Sequence, residues 1–398
     1  MTAEPATRWS EHFDHFDPTY AADPVSVWRD LRATCPVGRS DKFRGMWVPV
    51  RHADIEAVAR DTEHFSSRSP LVAEFGAMSD FGIEVPPISS DPPYHTAFRS
   101  LLLPFFAPGR IDALEPAIAA HVDRRIDAFI DRGTFDGSAD LAQHIPVAVI
   151  AGMLGIPDSD ADQFRRWVHL LLEVAPTDMG VAATNLIEFN LYLQEQIARR
   201  REEPGDDLVS FLINAELDGR PLTEQEIFGG SLLLLMAGID TTWSAIGAAL
   251  WHLAGHPDDQ HRMRTDPSVW PTAIEELLRA YAPVTMAREV VADVELGGCP
   301  MKAGDPLLLP FPAANRDPEA FADPDHVDLD RARNRHLAFG VGIHRCLGSN
   351  LARLELRVTL QRVLERVPPF HLADADAVRW STGQVRGPRV LPLAFEPD

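Results

Sequence analysis

The sharpest chemical signal in the chain is Phe339-Gly340-Val341-Gly342-Ile343-His344-Arg345-Cys346-Leu347-Gly348. Its glycines let a backbone turn tightly and come close to a flat group, and Cys346 stands where a predicted helix over 347–367 begins. The free N–H groups and positive dipole end of such a helix stabilise a thiolate, the metal-ligating form of cysteine. Taken alone, the residue reads as a buried structural cysteine after a glycine-rich turn. Upstream, Asp240 is the sole charged residue between Ile227 and Trp251, and Thr241 and Thr242 follow it. A lone acid in an apolar helix is costly to bury, which makes it a functional candidate. Glu276 and Arg279 are three residues apart on one helix face, the spacing of an ordinary surface ion pair. His252 and His256 have the spacing of a helical zinc pair, but no acid follows His252 and Pro257 ends the helix, so they read as a solvated helix end.

The elements that must position these residues are mostly helical. Apolar spacings of three and four predict helices over 110–132, 160–174, 182–202, 224–254, 271–281 and 347–367. Strand signals are few: Trp47–Val50, Glu289–Leu296 and Pro306–Phe311 as a small hairpin or meander, and Arg389–Phe395. The Pro- and Asp-rich stretch 315–335 reads as an ordered loop.

Composition narrows the function. Fifty-nine acids against 37 basic residues give a net charge of −22, which argues against a nucleic-acid or anionic-membrane partner. Three cysteines, with no CxxC pair, exclude a disulfide framework and a zinc ribbon, and point to the cytoplasm. The 227–251 run is long enough to span a bilayer, but its glycines and hydroxyls and its lack of basic anchors fit the central helix of a soluble protein.

The 339–348 pattern resembles the cysteine-ligand loop of the cytochrome P450 family. Glu276-Leu277-Leu278-Arg279 resembles that family's ExxR pair, which locks the meander supporting the loop, and Ala237-Gly238-Ile239-Asp240-Thr241-Thr242 resembles its oxygen-activation segment. The resemblance extends from Asp23-Pro24 to the final strand. It implies a mainly α fold with a small β-sheet region: a triangular helical prism with the heme between a central helix and the cysteine-ligand helix, as one domain over 1–398. It implies heme b, iron protoporphyrin IX, with Cys346 as metal ligand. Ala237, Gly238, Phe339, Gly340 and Gly348 would lie along the heme, and His95, Arg99, Arg288 and His344 would face its propionates. Asp240 and Thr241 would be catalytic: heterolytic O–O cleavage needs two protons delivered into an otherwise dry pocket. The plainer reading, in which Thr241 and Thr242 only bond back to carbonyls four residues earlier, accounts well for Thr242 but not for Asp240.

The family's pocket wall maps onto Leu71, Val85, Ile88, Leu233, Met236, Ala237, Val284, Thr285, Met286 and Val385, mostly aliphatic residues that suit a compact, largely apolar substrate. The implied activity is a monooxygenase, a cytoplasmic monomer without nucleic-acid or membrane contacts. Electrons would come from NAD(P)H through a ferredoxin reductase and a ferredoxin. Eight arginines stand against Glu355 and Glu365 over 331–366, a net of +6. Such segregation is a steering field for an acidic ferredoxin. Arg345, Arg353 and Arg357 are the expected contacts, with about three of the eight bracing the heme loop instead. A heme-thiolate peroxygenase, isomerase or coupling enzyme is the alternative within the fold, and a heme-binding sensor or electron carrier is the alternative outside this chemistry.

Overall fold

The computed structural model describes residues 9–71, 84–170 and 179–396. Its longer helices are α1 (Pro24–Thr34), α2 (His52–Arg60), α3 (Tyr94–Leu102), α4 (Glu115–Asp127), α5 (His144–Leu154), α6 (Ala161–His169), α7 (Met179–Glu202), α8 (Leu208–Asn214), α9 (Glu224–Gly255), α10 (Pro257–Thr265), α11 (Trp270–Ala280) and α12 (Ser349–Arg366). Five short strands form the main sheet: β1 (Val37–Arg39), β2 (Trp47–Pro49), β3 (Phe65–Ser66), β4 (Thr285–Val290) and β5 (Pro306–Pro310), in the order β1-β2-β5-β4-β3. β5 runs antiparallel to β4, with Leu307 opposite Arg288, and parallel to β2. One large apolar cluster fills the helical part and a second lies under the sheet.

α9 is the central element. It starts at a capping box in which Thr223 and Glu226 satisfy each other's backbone N–H groups. Arg220 holds Glu226 in a two-pronged pair at 2.8 Å and lowers its carboxyl to about 2. By length and composition α9 could cross a membrane, yet 67% of its most apolar stretch is buried inside the protein. Its all-round apolarity follows from having neighbours on several sides: α5, α12 and the final strands pack against it. At Gly238 a side chain would meet Ile150 of α5 at 2.4 Å, so this glycine is what lets the two helices approach.

Several boundaries differ from the sequence reading. The helix expected over 110–132 is broken into Pro108–Asp112, α4 and a short turn at Ile130–Arg132; Pro116 sits in the first turn of α4, where a missing N–H does no harm. Of the segment 160–174, α6 covers 161–169 and residues 171–174 lie outside the described residues. The strand expected at Glu289–Leu296 is divided: β4 ends at Val290, and Val294–Leu296 pairs instead with Cys299–Met301 around Gly297-Gly298, both at positive φ as a tight hairpin turn requires. The strand expected at Arg389–Phe395 is two. Pro388–Val390 pairs with Arg379–Trp380, whereas Pro392–Phe395 lies between Phe370–Leu372 and Thr134–Asp136. His252 is fully buried rather than solvated, bonded to Tyr281 and to Asp259 at 2.8 Å each.

The 315–335 loop is ordered by one buried pair. Arg279 makes bidentate bonds of 2.7 and 2.8 Å to Glu276 and donates to the carbonyls of Asn315, Pro324 and His326. Glu276 also accepts from the Asp328 N–H and the Arg331 and Asn334 side chains. Both residues are 0% exposed. Removing one partner of such a pair leaves a buried charge uncompensated, so Glu276→Ala should cost about 3–5 kcal/mol of stability. Denaturant unfolding followed by circular dichroism would read this; a loss below about 1 kcal/mol would mean the pair is a surface-like contact.

Candidate active site

The turn before α12 presents Cys346. Two glycines allow it: Gly340 and Gly342 have φ of +63° and +76°, and a side chain at Gly342 would stand 2.6 Å from the Ala59 carbonyl of α2. The Cys346 N–H donates to the Phe339 carbonyl at 2.8 Å, which closes the turn. Cys346 keeps free surface although the chain surrounds it closely. Burial pushes its thiol up, while the Gly348 N–H and Arg99, Arg345 and Arg353 pull the other way. Phe339 is covered by the Arg353 guanidinium at 4.4 Å from the ring centroid.

Beside this turn the four cation candidates gather. The His95 and His344 rings are 4.2 Å apart, and Arg99 donates to the Arg345 carbonyl at 2.5 Å. Arg288, on β4, is buried and donates to the Ala287 carbonyl, and its charge reaches both histidines. Burial, reinforced by these arginines, lowers His95 to about 4 and His344 further still. Both ring nitrogens of His95 and Nε2 of His344 are buried without a hydrogen-bond partner among the described residues. No carboxylate bonds to any of the four residues among the described ones. Buried donors and cations in excess of acceptors suit an anionic group, and a thiol with free surface beside them suits an iron, so the residues present fit heme with its two propionates.

On α9, Leu233, Met236, Ala237, Gly238 and Thr241 keep free surface within an otherwise buried stretch. Thr241 Oγ1 donates to the Ala237 carbonyl at 2.8 Å, the back-bond that the plainer reading gave to both threonines. With its hydrogen so engaged, the Thr241 hydroxyl turns its lone pairs outward as an acceptor. Asp240 is 1% exposed and held at 2.7 Å by Arg389, whose other amino group donates to Ser244 and whose guanidinium lies 4.2 Å over the Trp243 ring. The sequence reading missed Arg389. Its only signal was a lone basic residue in the last strand segment, 149 positions away.

The pocket-wall candidates divide. Val284 and Val385 form a β-bridge, and Ile88, Leu233 and Met236 pack at the edge of the helical core. Val85 is inside that core, and Leu71 is half-buried. Thr285 points away from Val284 and Met286 by strand alternation, and its hydroxyl bonds Tyr20 under the sheet.

A second residue that the sequence concealed is Glu355, on α12. It is 1% exposed, its Oε2 has no partner among the described residues, and the Thr359 hydroxyl one turn on is buried likewise. Burial raises its carboxyl well above the ordinary 4.5. The folded chain thus keeps a proton that the unfolded chain releases, so this residue costs stability as pH rises above the ordinary carboxylate range. Glu355→Gln should be more stable than the parent at pH 8 and closer to it at pH 4. Parallel melting curves across pH check this, and a constant difference would contradict it.

A cysteine at a glycine-rich turn, buried arginines and histidines beside it and an apolar helix carrying an acid-alcohol pair are the features expected of a heme-thiolate oxygenase. The chain belongs to the cytochrome P450 family, whose model, Cytochrome P450, matches residues 163–368. It is 37% identical over 347 residues to the Probable cytochrome P450 127A1 of Sinorhizobium fredii, covering 86% of this chain and 82% of that one. It is 38% identical to a Steroid C26-monooxygenase of Mycobacterium tuberculosis, covering 92% and 99%. The solved structure of cytochrome P450 CYP109Q5 from Chondromyces apiculatus matches with a TM-score of 0.86 at 33% identity, over 97% and 98% of the two chains.

Proposed function

We propose that the whole chain, 1–398, is one heme domain that inserts an oxygen atom from O2 into a small-to-medium, largely apolar organic substrate. The observation that carries this is the buried Asp240 carboxylate, held by Arg389 next to the Thr241 hydroxyl. A sensor or electron carrier needs no such pair, and a peroxygenase brings its own protons. Heme bound to Cys346 would supply dioxygen binding and its reduction. The chain's own share is to keep the cleft apolar through Leu233, Met236, Val284 and Val385, to hold a proton at Asp240 or its neighbours, and to fix the Thr241 oxygen as acceptor. That a steroid is named for a relative agrees with a medium-sized, largely apolar substrate, and a panel of such ligands screened for the low-to-high-spin Soret change would identify the class. The deciding experiment supplies surrogate reductase and ferredoxin and measures NADH consumption against product; NADH oxidised with no oxygenated product, across all ligands that shift the spin state, would overturn the reading.

For the electron donor we infer an acidic ferredoxin docking beside the Cys346 turn, in the cytoplasm, on a monomer. The arginine field is narrower than the sequence suggested. Arg331, Arg353, Arg357, Arg362 and Arg366 are engaged by Glu276, Glu275, Glu115, Asp123 and Asp127, so five of the eight brace the fold. Arg333, Arg335 and Arg345 are exposed and make no ion pair among the described residues. Reversing Arg353 or Arg357 would therefore break an internal pair as well as any docking contact. Reversing Arg333, Arg335 and Arg345 to Glu together should slow reduction at low salt and flatten its ionic-strength dependence, with substrate affinity unchanged. Stopped-flow reduction unchanged in that variant at low salt would place the donor elsewhere.

A further inference from the structure

Two of the three cysteines are 264 positions apart in sequence and meet in the fold. The Cys35 thiol donates to the Val37 carbonyl at 3.4 Å, and the Cys299 thiol donates to the same oxygen at 3.8 Å. Cys35 follows the last turn of α1, its N–H bonded to the Leu31 carbonyl at 2.8 Å, and the chain then enters β1. Cys299 opens the second arm of the 294–301 hairpin. That hairpin is pressed onto β1: a side chain at Gly297 would stand 2.8 Å from Cγ2 of Val37. Both thiols are half-buried, neither is near the Cys346 turn in sequence, and neither is used in the chemistry above.

We infer that Cys35 and Cys299 form a redox-active dithiol, which a peroxide closes into an intramolecular disulfide. Among the described residues each sulfur makes one weak S–H bond, to the shared carbonyl, so rotation about Cα–Cβ moves either sulfur without breaking a strong bond. In the first step the Cys35 thiolate attacks a peroxide oxygen; the O–O bond breaks, the leaving hydroxide takes up a proton as water, and Cys35 becomes a sulfenic acid. In the second, the Cys299 sulfur displaces that hydroxyl, the S–S bond forms, and the second water leaves with the Cys299 proton. Two thiols lose two electrons and two protons, and one peroxide becomes two waters. The order of attack follows from the surroundings: burial first, then the charges of Cys35, Glu295 and Asp54, raises the Cys299 thiol and so reserves it as the resolving partner.

This inference stands apart from the proposed oxygenation and does not depend on the substrate. The test treats the heme-loaded protein with a small excess of hydrogen peroxide, blocks free thiols with an alkylating reagent and maps peptides without reduction. The expected result is a peptide pair joining Cys35 to Cys299, two hydrogens lighter than its parts, released by a reductant. Under the same treatment Cys35→Ser should leave Cys299 alkylated or singly oxidised, and no such pair should appear. Peroxide-treated wild-type protein with both residues alkylated, each oxidised alone to sulfinic acid, or joined between two chains would overturn the inference. The ferrous carbon monoxide spectrum of both proteins serves as the control for an intact heme turn.

Discussion

Cys346→Ser is expected to abolish the red-shifted band of the ferrous carbon monoxide complex, while Cys35→Ser and Cys299→Ser leave it in place. The band requires strong electron donation from a thiolate to the iron, and Cys346 is the cysteine placed beside His95, Arg99, Arg288 and His344. Cys346→His offers an imidazole at the same position and should also lose the band, because the neutral nitrogen donates less. Reconstituted variants compared by difference spectroscopy give the answer directly. An unchanged band in either Cys346 variant would remove the basis for the whole site.

The second large effect falls on proton supply. Thr241→Ala should keep heme and substrate binding but divert reducing equivalents into hydrogen peroxide, since the acceptor oxygen fixed by the Ala237 carbonyl is gone. Asp240→Asn should slow turnover by about 100-fold or more, the scale on which a positioned acid or base acts, with an altered solvent isotope effect. Arg389→Met should resemble Asp240→Asn, because it leaves Asp240 buried without its ion-pair partner. Arg389→Lys should restore part of the rate. Product formed per NADH and peroxide released are the readouts, and full coupling at the parental rate in Thr241→Ala and Asp240→Asn would make the pair structural.

What the sequence revealed depended on how far apart the partners lie along the chain. The Cys346 turn, the Glu276–Arg279 pair and the Asp240–Thr241 step are short-range patterns, so they could be matched to a family's motifs, although residue type and spacing alone favoured a structural cysteine and a surface ion pair. Arg389, Tyr20 and Glu355 acquire their meaning from packing: one reaches Asp240 across 149 positions, one turns Thr285 under the sheet, and one is a carboxyl whose burial on α12 no periodicity announces. The same contrast holds for the fold. α9 and α12 were visible as long apolar repeats, but α5, His144–Leu154, is apolar on nearly every side and β-branched, with seven of its 11 residues buried, so it shows no helical stripe. The break between β4 and the 294–301 hairpin was hidden because Asp293, which takes an N–H from Ala303 and pairs with Lys302, stabilises a corner that looks locally like continuing strand.

The Glu276–Arg279 knot also has a consequence in time. All of its partners lie between Asn315 and Asn334, within 60 residues of one another along the chain. The main sheet, in contrast, must bring Trp47 to Leu307. Closing short loops costs less chain entropy than closing long ones. The seat of the Cys346 turn should therefore assemble while β2 and β5 are still unpaired, and pulse-labelled amides of Asp328 and α11 should gain protection before the β2–β5 ladder around Trp47 and Leu307. A chain folding in that order would have the Cys346 turn in place before the main sheet joins β2 to β5.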